Sequence, residues 1–105
     1  MGFRCHEIAV ELVKALRAPL VRLKRRDPDF ARQLRRAAPS VLSNIGEGAD
    51  RLYHDSVAAG SAAEVRDILV VARAWGTLAG ETLDRLDKLV DRQLAVLWVL
   101  CRGRR

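Results

Sequence analysis

Ile8, Leu12, Leu16, Leu20 and Leu23 follow one another at steps of three and four, the spacing of one face of an α-helix. Pro19 falls inside this run. It lacks an N–H and disfavours helical geometry at Ala18, so a kink or break is predicted there. Asp27-Pro28 then reads as an N-cap followed by proline at the first helical position. A second helix is predicted through Phe30, Leu34, Ala38, Val41, Ile45, Gly48 and Leu52, with Pro39 as a second bend. Asp55 is the expected cap of a third helix, whose apolar face would be Val57, Ser61, Val65, Ile68, Ala72 and Trp75 and which Gly76 would end. A fourth carries Leu83, Leu86, Val90, Leu97 and Leu100 or Cys101.

Four helices with short links predict an all-α fold, an antiparallel up-down-up-down four-helix bundle forming a single domain over residues 1–105. Composition agrees: 50% of residues are apolar but only 5% aromatic, so Leu, Val, Ile and Ala must make the core. Strand signals are poor, with neither an Asn-Gly or Asp-Gly hairpin turn nor sustained alternation. The fourth helix changes character along its length. Leu83 to Arg92 is amphipathic, whereas "LAVLWVLC", Leu94 to Cys101, is apolar all round. A helix greasy on every side needs a second partner. Leu94, Val96, Leu97, Trp98 and Leu100 are therefore the expected interface of a homo-oligomer, and a cyclic assembly is the predicted form.

That eight-residue run is too short to span a membrane, and Arg4, Glu7 and Glu11 make the first residues unlike a signal peptide. A cytoplasmic location with no membrane role is the expectation. Cys5 and Cys101 lie at opposite ends of the sequence and have no metal-type spacing, so reduced thiols are expected, although an up-down bundle would bring the two to the same end.

Net charge is +6 and unevenly placed. Between Lys14 and Arg36 nine bases face only Asp27 and Asp29, while residues 37–101 carry six bases against nine acids. Arg22, Lys24, Arg25 and Arg26 end the first helix, where cations complement the helix dipole. Arg32, Arg35 and Arg36 begin the second, where the dipole disfavours them, so they lack that structural motive. Together the seven predict a phosphate-binding end of the bundle, salt-sensitive and non-specific.

Catalytic chemistry has no comparable signal. His6 and Glu7 are adjacent and diverge on a helix, there is no HExxH, and Ser40 has no histidine at helical spacing. Neither an enzyme activity nor a metal or other cofactor is expected. "APSVLSNIGEG", residues 38–48, tempts one to see a phosphate loop, but Gly46-Glu47-Gly48 lacks the required glycine spacing and follows no strand. Ser40, Asn44 and Glu47 instead form a polar stripe with Arg36 and Arg51 beside the apolar stripe of that helix. A solvated face and an internal or intersubunit network both fit this stripe.

"QLRRAAPSVLSNIGEG", Gln33 to Gly48, resembles the hallmark of the bacterial four-helix bundle family first noted as products of intervening sequences in 23S ribosomal RNA genes, a family that includes the accessory variability protein of diversity-generating retroelements. Gln33 to Ala37, Ser40, Val41, Asn44, Ile45, Gly46, Glu47 and Gly48 match its pattern, and "GSAAEVRDILVVARAWG", Gly60 to Gly76, matches a second block. Leu42 departs from it, standing where relatives often have proline, and the segment "ADRLYHDSVAA" is shorter and less basic than theirs. The resemblance implies a small, non-catalytic oligomer; the retroelement protein is a homopentamer that binds nucleic acid and its reverse transcriptase.

Two functions from different classes follow. One is an oligomeric accessory that binds RNA or DNA through the 22–36 region, supporting a reverse transcriptase or an rRNA-associated element. The other is a homo-oligomeric scaffold or adaptor for a protein partner, with the basic residues serving solubility alone. Salt separates them, because phosphate binding weakens steeply with ionic strength and an apolar interface hardly responds.

Overall fold

The computed structural model describes the backbone of residues 2–45 and 51–102 and the side chains of residues 4–45 and 53–100. Among the described residues there are five α-helices and no strand: α1 (Gly2–Ala15), α2 (Arg17–Arg26), α3 (Pro28–Ser43), α4 (Arg51–Trp75) and α5 (Gly80–Arg102).

The first predicted helix is interrupted between α1 and α2, at Leu16, because Pro19 offers no N–H to the carbonyl of Ala15. Bonds continue on either side, Leu16 N–H to Leu12 O at 3.1 Å and Leu20 N–H to Leu16 O at 2.9 Å. Leu16 keeps right-handed helical dihedrals, so the chain is interrupted rather than turned. Asp27 caps α3, accepting the Phe30 N–H on Oδ1 at 3.2 Å.

Three local expectations are corrected. Helix α3 passes through the exposed Pro39 and ends at Ser43, well short of Leu52. Asn44 stops it by folding its amide back, Nδ2 donating to Ser40 O at 2.9 Å. Asp55 does not cap α4. It lies one turn inside the helix, 1% exposed, at the head of the inward stripe Ala58, Ala62, Val65, Leu69 and Ala72. In the first half of α4 the inward face is thus rotated by one residue from Val57 and Ser61, which are half-buried; Val65, Ile68 and Ala72 are buried as expected, and Trp75 at the helix end is 65% exposed.

Gly76 does end α4, at φ +66°, a conformation that costs an L-residue about 1–2 kcal/mol. Its N–H reaches Arg73 O at 3.3 Å and the Thr77 N–H reaches Ala72 O at 3.0 Å, the paired bonds of a Schellman turn. Arg73 fastens the same end across to α5, with Nη2 at 2.9 Å from both Asp84 and Asp87. Those hydrogen bonds, to Asp87 first and then Asp84, raise the Arg73 pKa above its ordinary value.

Leucines form most of the bulk of the core: Leu12, Leu16, Leu23, Leu34, Leu69, Leu83, Leu86 and Leu97 are all essentially inaccessible. Full burial stabilises by roughly 1.5–3 kcal/mol for each such side chain. Buried alanines, Ala37 and Ala38 on α3 with Ala58 and Ala62 on α4, let those helices approach closely. Helix α4 packs along α3 and α5, α1 packs on α5 and α3, and α2 on α3. The result measures 42 × 21 × 20 Å. That is one long helix in length and about two helix diameters across in each direction.

One polar pair interrupts the core. Gln93, fully buried on α5, donates Nε2 to Cys5 Sγ of α1 at 2.9 Å, while its Oε1 has no hydrogen-bond partner. A buried unpaired acceptor costs about 1–3 kcal/mol, so this pair defines the α1–α5 register rather than strengthening the packing. Cys101 lies outside the described side chains, as does any meeting of the two cysteines.

Candidate nucleic-acid interface

The basic segment becomes a helical hairpin, α2 running into α3 through the single residue Asp27. All seven predicted cations, Arg22, Lys24, Arg25, Arg26, Arg32, Arg35 and Arg36, are exposed. Lys24, Arg25 and Arg26 sit in the last turn of α2, where their charge complements the carbonyl end of the helix. Arg32 reaches back one turn to Asp29 at 3.0 Å. Both partners are largely solvated, so this contact is worth well under about 1 kcal/mol and yields readily to another anion.

The seven do not form one cluster. Lys24, Arg32 and Arg35 line a groove of about 520 Å³ between α2 and α3, and Arg17 joins them there. On α2 the groove takes Arg17, Leu20, Val21 and Lys24, and on α3 it takes Pro28, Ala31, Arg32 and Arg35. Each set recurs at helical steps, so each helix turns one mixed face toward the groove. Four cations and four apolar residues line it. Arg17 is the residue the sequence reading missed; its distance of seven residues from Lys24, two helical turns on one face, was the available signal.

Arg36 belongs to a second groove of about 440 Å³ between α3 and α4, lined also by Gln33, Ala37, Ser40, Ser61 and Glu64. Here the polar stripe acquires its partner. Ser40 Oγ and Ser61 Oγ are 2.8 Å apart, and Asn44 Nδ2 donates to Ser40 Oγ at 3.2 Å. Ser40 and Asn44 of the stripe thus form, with Ser61, a half-buried network that links α3 to α4. Glu47 lies outside the described residues. Arg22, Arg25 and Arg26 line neither groove and project from the end of α2.

The expected oligomer surface divides. Leu94, Leu97 and Leu100 are buried in the chain's own core, because they continue the stripe of Leu83, Leu86 and Val90 at steps of three and four. Val96 is half-buried. Only Trp98, 60% exposed, keeps its expected outward position, joined by Val99 at 53%. Val99 and Val96 border a shallow groove against α1 with Ile8, Ala95, Arg4 and Arg92.

Among the described residues no group of three or more His, Cys, Asp or Glu side chains is placed to hold a metal ion. No described helix is long and apolar enough to cross a membrane.

Fold and surface together define a small all-helical protein whose basic charge is concentrated on one exposed helical hairpin. The chain belongs to the 23S rRNA-intervening sequence protein family, which matches it over residues 3–98. No curated protein and no solved structure matches the chain.

Proposed function

We propose that the protein is a non-enzymatic accessory that binds nucleic-acid phosphates through the α2–α3 hairpin. In this reading α1 and α2 act as one interrupted rod, so that the chain is an antiparallel four-helix bundle, and copies assemble into a cyclic homo-oligomer that repeats the basic end around a ring. One observation carries it: the seven hairpin cations are exposed, and the ion pairs formed among the described side chains engage only one of them, Arg32 with Asp29. A surface of solvated, uncompensated cations attracts a polyanion and releases its counterions. The family's tie to 23S rRNA genes is consistent with an RNA ligand in the cytoplasm, and a reverse transcriptase remains a partner by family resemblance alone. The scaffold reading draws on Trp98 and Val99, which offer an apolar surface to a protein.

The test is binding of a labelled structured RNA across a salt series. With the four groove cations engaged, log affinity should fall against log salt with a slope of about −3 to −4. A flat response, or no binding at low salt, moves the function to a protein partner.

A further inference from the structure

Trp75 is unusual for a residue of its size. It sits at the last position of α4 with 65% of its surface exposed, although the sequence assigns it to the apolar face of that helix. Among the described residues its ring contact is edge-on with Phe30, the centroids 5.6 Å apart and the planes at 61°. Phe30 lies in the first turn of α3, and its N–H is held by Asp27, the residue that directly follows Arg25 and Arg26. The contact therefore brings the end of α4 to the basic hairpin and sets a second aromatic beside Phe30.

Three local devices hold this ring in place. Gly76 turns the chain immediately after it, Arg73 fastens the helix end to Asp84 and Asp87, and Phe30 abuts one edge. The carboxylates of this end are engaged as well. Asp27 accepts the Phe30 N–H, Asp29 pairs with Arg32, and Asp84 and Asp87 share Arg73; Glu81 in the first turn of α5 is the described one without such a bond. An exposed indole at the end of the molecule where the basic hairpin turns has the composition of a single-strand binding surface, in which phosphates track the cations and a base stacks on the ring.

We infer that Trp75 is a stacking platform for an unpaired nucleobase, so that the ligand class of the α2–α3 hairpin is a single-stranded segment rather than a continuous duplex. This rests on the nucleic-acid reading above and narrows it.

The test compares a labelled twelve-nucleotide oligouridine with a labelled perfect RNA duplex, by fluorescence anisotropy at low salt. Trp75→Ala should weaken oligouridine binding roughly 5- to 100-fold and leave duplex binding unchanged, and Trp75→Phe should restore most of the loss. Circular dichroism checks that the variants stay folded. In a Trp98→Phe background, where Trp75 is the only tryptophan, saturating oligouridine should quench its emission. Unchanged oligouridine affinity in Trp75→Ala, or binding without quenching, overturns the platform and leaves the basic hairpin standing. Absence of any binding by the wild type overturns both.

Discussion

Leu97→Ala is expected to lower stability by about 2–5 kcal/mol. Leu97 is 0% exposed, on the stripe that faces the core from Leu83 to Leu100, so truncation opens a cavity within the chain. A domain of this size has about 5–15 kcal/mol in total, and the variant should show a much lower urea midpoint with an unchanged slope. Val99→Ser, two residues away but 53% exposed, should move stability by no more than about 0.5 kcal/mol. The contrast separates the core face of α5 from its outer face. If Leu97→Ala instead dissociated an oligomer at unchanged monomer stability, the side chain would belong to an interface.

The combined change of Lys24, Arg32 and Arg35 to Gln should have the largest effect on RNA binding. All three are exposed and line the α2–α3 groove, and Arg32 alone has an ion-pair partner, itself solvated. Removing exposed cations from a helical surface costs little stability, so the variant should fold like the wild type. Each lost phosphate contact is worth about 1 kcal/mol at low salt, and three together predict a loss on the order of 100-fold. The salt slope should also flatten by about 2 to 3. A loss of affinity without that flattening would indicate damage elsewhere.

Much of this architecture is legible in the sequence because its punctuation is chemical. Proline without an N–H interrupts the first helix, aspartate before proline begins α3, and glycine with positive φ ends α4. The exposure of the seven cations is legible too, since charges so dense cannot be buried, but their division between two grooves and the end of α2 is not. Nor is the register of the first half of α4. In "VAAGSAA" alanine is equally at home on either face, so Val57 and Ser61 cannot be told from Ala58 and Ala62 as the inward pair, and Asp55 reads as a cap by residue type alone. At the uniformly apolar end of α5 the sequence assigns Leu97 and Leu100 both to the helix's own stripe and to the oligomer interface; they face the core with Leu94 while Trp98 and Val99 face out, a distinction that hydrophobicity does not draw. Arg17 and the Phe30–Trp75 contact are cross-helix facts. The first follows from a wheel once α2 is known to pack on α3; the second joins residues far apart in sequence.

The central claim is that nucleic acid meets the α2–α3 hairpin, and amide chemical-shift mapping tests it most directly. Titrating the isotopically labelled protein with oligouridine should perturb residues 17–36 and the Trp75 indole N–H, with residues 91–99 of α5 unmoved. Shifts concentrated on α5 and the facing part of α1, or none at saturating ligand, would contradict the account.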